Sequence, residues 1–200
     1  MEPTVIFRDF EERDIDFIYR CKNDEKLNSM IVGQYHPFTY EEAKKWVHGC
    51  MGEHETYKFW AIAANDAERQ IVGWVSVSNI DKIDKSAFFH GIVIGDNEYK
   101  DGIAWIESYL FVFKYVFDVL RLHRLKGENI IGHKESSLIA KALFFTFEET
   151  KNEEIGKNDI YCEVKSYNIS DVEYNYHKKN GDYDLYSIID RILTLSKKQC

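Results

Sequence analysis

The spacing of apolar side chains changes period repeatedly along the chain, and each change marks an element. Val5-Ile6-Phe7 predicts a first strand, and Ile15, Phe17, Ile18 and Cys21 within Arg13–Asn23 recur at helical spacing. Thr39-Tyr-Glu-Glu42 reads as a capping box, with Ala43, Trp46, Val47 and Cys50 following on one helical face. Between these two helices lies the aromatic loop Gly33-Gln-Tyr-His-Pro-Phe38. Lys58–Ala64 and Gln70–Ser78 are β-rich runs joined by the polar turn Asn65–Arg69. Ala87–Ile94 is apolar on both alternating sets, the pattern of a central strand covered on both faces.

Ile103, Ile106, Leu110, Phe113, Phe117 and Leu120 step by three or four and predict one long helix over Ile103–Leu120, with Glu107, Lys114, Asp118 and Arg121 on its wet stripe. Leu122–Ile131 predicts a strand, Lys134–Leu143 a helix, and Phe144–Thr150 and Asp159–Tyr167 two more strands. Beyond Asp171 the pattern reads as a polar stretch until Leu185, Ile188, Ile189, Ile192 and Leu193 mark an amphipathic tail helix, and Lys197–Cys200 reads as a frayed end. The order βααβββαβαββ predicts an α+β fold, a mixed and mostly antiparallel sheet flanked by helices. Residues 1–170 form the expected domain and 171–200 a C-terminal extension, whose apolar stripe can pack on that domain or on a second subunit in a homodimer.

With 200 residues, 44% apolar, the chain suits one core. The N-terminus lacks a basic start followed by an apolar run, and no segment has the length of a membrane span, so a soluble, cytoplasmic protein is expected with no membrane partner. Cys21, Cys50, Cys162 and Cys200 lie far apart without a C-x-x-C pair, which predicts free thiols and no metal site. A net charge of −8 argues against a nucleic-acid partner.

The run Phe89-His-Gly-Ile-Val-Ile-Gly-Asp-Asn-Glu-Tyr-Lys-Asp-Gly-Ile-Ala104 leading into a long helix, followed by Leu122-His-Arg124, resembles the central motif of the GNAT acetyltransferase superfamily, with the RimJ/RimL-like branch the closest in pattern. Ile71–Val77, Ser136–Phe145 and Phe145–Glu148 agree with it, so that the resemblance spans roughly residues 4 to 170. It implies an acetyl-CoA-dependent N-acetyltransferase whose acceptor is a primary amine on a small molecule or peptide. The family's phosphate loop R/Q-x-x-G-x-G/A falls on Tyr99, Lys100, Asp101, Gly102, Ile103 and Ala104, with Tyr99 where Arg or Gln is usual. Backbone N–H groups at a helix start are suited to diphosphate oxygens, and they must outweigh the repulsion between anionic CoA and an acidic protein. An ordinary strand-to-helix turn would look the same.

By the same resemblance, Ile92, Val93 and Ile94 offer exposed strand backbone to the cofactor, and His133 stands where an asparagine usually binds it. Glu128 occupies the place of a glutamate in some amino-sugar acetyltransferases and is the first candidate base; a solvated strand residue is the alternative. His90 is the second candidate, because a near-neutral imidazole accepts a proton directly, although a satisfied core histidine is the commoner reading. The tyrosine that protonates the leaving thiolate in many relatives falls on Ala140, so Ser136, with Ser137 next, is the candidate near the sulfur; helix capping would also explain Ser136. Tyr35, His36, Phe38 and Tyr40 in the early loop, with Trp74 from the meander, form the expected acceptor pocket. The substitutions at Tyr99, His133 and Ala140 leave a second reading open: a GNAT-shaped CoA-binding or regulatory protein without turnover. A shifted register, with Ile139–Glu149 as the long helix, would replace Glu128 and Ser136 by Glu163 and Tyr176.

Overall fold

In a computed structural model, which describes residues 2–29, 31, 35–157 and 160–197 with 151–157 and 160–162 as backbone only, the β-rich runs become seven strands. They are β1 (Val5–Arg8), β2 (Lys58–Ala64), β3 (Ile71–Asp81), β4 (Ser86–Ile94), β5 (Arg124–Ile130), β6 (Thr146–Lys157) and β7 (Ile160–Ser170). One sheet contains them all in the order β1-β2-β3-β4-β5-β7-β6, antiparallel throughout except between β4 and β5. The helices are α1 (Ile15–Lys22), α2 (Glu25–Asn28), α3 (Tyr40–Cys50), α4 (Ile103–Phe113), α5 (Lys134–Ala142), α6 (Asp171–Lys179) and α7 (Leu185–Lys197). Gly33, Gln34, Asp159 and Lys198–Cys200, all of which carried expectations, lie outside the described residues.

Two apolar layers sandwich the sheet. On one face Phe10, Ile18, Val47, Ala61 and Trp74 join α1 and α3 to the strands. On the other, Ile62, Val75, Phe113, Leu125, Leu143 and Ile188 join α4, α5 and α7 to them. The capping box predicted for α3 is present, Thr39 accepting from the Glu42 N–H and Glu42 accepting from the Thr39 N–H. Cys21 and Cys50 are free and buried. Among the described residues no helix is long and apolar enough to cross a membrane.

Four local features depart from the pattern. The long helix is α-wound only to Phe113 and continues as a π-helical segment over Lys114–Val119, where the Leu120 N–H reaches the Tyr115 carbonyl at 2.9 Å. Glu107 does not sit on a wet stripe: its carboxylate accepts from the Thr4 and Val5 N–H groups and the Thr4 hydroxyl, which ties β1 to α4. The stretch after Ser170 is helical, because Ser170 and Glu173 form a capping box that nucleates α6 although only Tyr174 of that helix is buried. Finally, β4 is not covered along its whole length: Ala87 and Phe89 are buried, but His90 is exposed and Gly91–Val93 are half-buried. A cleft opens at that point.

Candidate active site

β4 and β5 run parallel and pair only from Ser86↔Arg124 to Phe89↔Gly127. Beyond this vertex they diverge, so that His90–Ile94 and Glu128–Ile130 continue without pairing to each other. The cause is local. Ser76 pairs with Gly91 and Val77 with Phe89, which leaves His90 as the extra residue of a β-bulge. Gly91 there has φ +106°, and since a Cβ would meet nothing within 4 Å, the requirement for glycine is conformational rather than spatial. A bulge bends its strand and turns a side chain out of the ladder, and here it turns β4 away from β5 and exposes His90.

The divergence creates a cleft of about 860 Å³ that passes through the sheet. Phe88–Ile94 of β4, Gly127–Asn129 of β5, the N-terminal half of α4, the N-terminal half of α5, and Ile189, Ile192 and Leu193 of α7 line it. Leu27 and Ile31 close its other mouth. Most of this wall is apolar, with polar groups at a few points, the usual composition of a ligand site.

At one end stands Gly102, the N-cap of α4, with φ +96°. The first-turn amides of a helix have no intrahelical acceptor and carry the positive end of its dipole, so this turn suits an anion. The Ile103 N–H donates to the Asp101 carboxylate at 2.9 Å, a local anion where a diphosphate would compete. Lys100 reaches Asn97 Oδ1 at 2.8 Å. Ala104 packs into the core with 1% exposure and does not face the cleft, which makes its small size a packing requirement. Tyr99 does not line the cleft either; it packs at the edge of the core.

Deeper in, three hydroxyl- and amide-bearing side chains meet. Ser136 Oγ donates to Asn129 Oδ1 at 2.8 Å, and the phenol of Tyr109 lies beside Ser136. Burial pushes the Tyr109 hydroxyl up to about 12, so it stays protonated. Ser136 is not the helix cap. His133 takes that place, its Nδ1 accepting from the Ser136 N–H at 3.4 Å, so the serine hydroxyl is left for Asn129. Glu128 on β5 lines the cleft and accepts from Ser166 Oγ at 3.2 Å. His90 faces it from β4. The walls around the imidazole desolvate it and hold its pKa below the ordinary value, and the Lys22 ammonium pushes the same way.

Lys22 has an unusual setting on the α1–α3 face. Its Nζ lies 5.4 Å from the ring centroid of Phe38, 4.7 Å from Trp46 and 5.2 Å from Trp74. Burial lowers its pKa. Rings at this range attract the cation through their quadrupoles.

The sequence model of the family described as acetyltransferase (GNAT) domain matches residues 4–146. The chain belongs to the GNAT acetyltransferase family. The fold agrees with solved GNAT structures. A spermidine N-acetyltransferase from Vibrio cholerae, in complex with CoA and spermine, superposes with a TM-score of 0.73 at 21% identity, covering 86% of this chain and 98% of that one. A GCN5-related N-acetyltransferase from Brucella melitensis gives 0.75 at 17% identity over 93% of this chain and 85% of that one. A GNAT-family acetyltransferase from Bacillus anthracis gives 0.72 at 19% identity over 85% and 96%. No curated protein matches by sequence.

Within this GNAT fold, the cleft brings together His90, Ile92, Val93, Ile94, Lys100, Asp101, Gly102, Ile103, Glu128, His133 and Ser136 of the residues singled out from sequence. It does not bring in the aromatic loop. Tyr40 is exposed and donates to Asp16 at 2.9 Å, and His36 is exposed beside Glu42 at 3.5 Å. Tyr35 is half-buried away from the cleft lining, while Phe38 and Trp74 hold Lys22. The shifted register is excluded, since Ile139–Glu149 is not one helix: α5 ends at Ala142 and β6 begins at Thr146, while Tyr176 is exposed on α6. Sequence reasoning missed Tyr109, Asn129, Lys22 and the α7 wall. Tyr109 could have been found: it lies seven residues after Gly102, two helical turns, on the stripe that includes Ile106 and Phe113. Among the described residues no group of three or more His, Cys, Asp or Glu is arranged to hold a metal ion.

Proposed function

We propose that this GNAT acetyltransferase transfers an acetyl group from acetyl-CoA to a primary amine by direct attack while both substrates are bound. The observation that carries the reading is the through-sheet cleft, with an anion-suited helix start at one end and a second mouth at Leu27 and Ile31. Acetyl-CoA would be held by the amides of the Gly102 turn with Lys100, by the backbone groups of Ile92–Ile94 on the edge away from β3, and by His133 and Ser136. It supplies an activated acyl group, consumed in each turnover. An unpaired β4 N–H polarises the thioester carbonyl as negative charge develops on oxygen.

An alkylamine of pKa about 10.4 is neutral in only about one molecule in a few thousand at pH 7, so a base is useful. We assign that role to His90, whose lowered pKa keeps it unprotonated near neutrality. Glu128, across the opening, holds the incoming ammonium. The amine enters between α2 and β4 rather than across the aromatic loop. Residues 1–170 are the acetyltransferase domain, and 171–200 an extension whose α7 completes the cofactor-side wall.

Calorimetry with acetyl-CoA, followed by free-thiol release on a panel of polyamines, amino sugars and peptide N-termini, tests this. Binding with thiol release that depends on one acceptor class supports it. Absence of CoA binding contradicts it. Binding without release on any acceptor favours the regulatory reading raised by Tyr99, His133 and Ala140.

A further inference from the structure

We infer that the Tyr109 hydroxyl supplies the hydrogen bond, and then the proton, to the sulfur that leaves during acyl transfer, in place of a tyrosine on α5. The inference rests on the reading of the cleft as an acetyl-CoA site. Phe89↔Gly127 is the last pair before β4 and β5 diverge. The Tyr109 ring packs on Phe89 with centroids 4.8 Å apart, so the phenol stands at the vertex of the cleft, which it lines. It lies on the same helix as the anion-suited turn, about 10 Å along the axis from Gly102 at 1.5 Å per residue.

The hydroxyl also has polar neighbours. Ser136 on α5 and Asn129 on β5 are hydrogen-bonded beneath the vertex, Ser136 Oγ 2.8 Å from Asn129 Oδ1, and the Tyr109 phenol on α4 lies beside Ser136. Ala140 lines the same cleft, so α5 offers no hydroxyl at that position. Desolvation keeps the phenol neutral and therefore a donor. As the amine nitrogen bonds to the acyl carbon, the carbonyl π pair moves to oxygen. Its return expels the C–S pair onto sulfur, which takes the Tyr109 proton. The nitrogen sheds one proton to His90 and thence to solvent, and the phenolate regains one from solvent past Ser136. Amine and thioester thus give amide and thiol with no net proton.

The test needs no acceptor. CoA labelled with ¹³C at the carbon bonded to sulfur is bound to the wild type, Tyr109→Phe and Ser136→Ala, and its chemical shift is followed across pH by NMR. The other titratable groups on this stretch, His90, Glu128, His133 and Tyr167, are unchanged in all three. The thiol should ionise about one pH unit lower in the wild type than in Tyr109→Phe, a tenfold stabilisation of the thiolate, with CoA affinity held within about threefold in Tyr109→Phe; Ser136→Ala, compared at saturating CoA, should ionise between them. Equal ionisation in wild type and Tyr109→Phe at unchanged affinity overturns the inference. If Tyr109→Phe does not fold, Ser136→Ala decides: a shift toward the free-CoA value supports the inference, and the wild-type value overturns it. A wild type that binds no CoA overturns the cofactor reading and the inference with it.

Discussion

The two mouths of the cleft are built from different materials. On the α4–α5–α7 side the polar groups are helix-start amides and a small hydroxyl cluster set in an apolar wall. On the α1–α3 side the nearest cation is Lys22, held among Phe38, Trp46 and Trp74 and close enough to depress His90. The first kind of site recognises an anion and a flexible arm by backbone geometry. The second places a cation near one imidazole and, on the proposed reading, meets the acceptor with side chains. Substitutions on the two sides should therefore separate: cofactor affinity changes on one, rate and its pH profile on the other.

The largest effect is expected at the boundary. His90→Gln should lower the rate about 10²-fold or more while leaving acetyl-CoA affinity nearly unchanged, as steady-state kinetics with calorimetry would show. In the wild type the acid limb of the rate should lie below the ordinary imidazole pKa if, as proposed, neutral His90 is the active form, because its pKa is depressed. Stability follows the same sign. As pH falls through about 6.5 the unfolded chain binds a proton that folded His90 resists, so the native state loses stability, and His90→Gln should lessen that slope in urea melts.

Next in size is Gly102→Ala. A side chain at φ +96° costs about 1–3 kcal/mol, and the distorted turn should weaken CoA binding about tenfold or more without altering the acid limb. Asp101→Asn acts in the opposite direction. It removes the carboxylate that holds the Ile103 N–H and repels diphosphate, so CoA affinity should rise about threefold at low salt and less at high salt. The smallest effect belongs to Lys22→Met, which keeps the stem among the rings but removes the charge. The acid limb should move upward by less than about one unit, with CoA affinity unaltered. A change in CoA affinity from Lys22→Met, or in the acid limb from Gly102→Ala, would break the division between the two mouths.

The sequence made the two sides unequally legible for the same reason. The cofactor side rests on contiguous features, the Gly102 turn, the helical stripe after it and the strand before it, and local spacing reveals such features. The exposure of His90 escaped, since a β-bulge depends on the partner strand's register and not on β4 alone, and so did Tyr109, Asn129 and the α7 wall, which separate elements bring to the cleft. On the α1–α3 side the setting of Lys22 is assembled from Trp46 and Trp74, so that three separate elements contribute, and no local pattern joins them. The aromatic loop drew attention by density, yet Tyr40 and His36 point to solvent and satisfy Asp16 and Glu42. The helix α6 was within reach, because Ser170-Asp-Val-Glu173 carries the same capping-box signature that located α3.

A crystal structure with CoA bound tests the central claim most directly. The account predicts the diphosphate on the Gly102–Trp105 amides in place of the Asp101 carboxylate, the arm between β4 and β5, and the sulfur at the vertex within hydrogen-bonding distance of Tyr109. CoA bound outside the β4–β5 opening, or with its sulfur directed away from His90 and Tyr109, would contradict it.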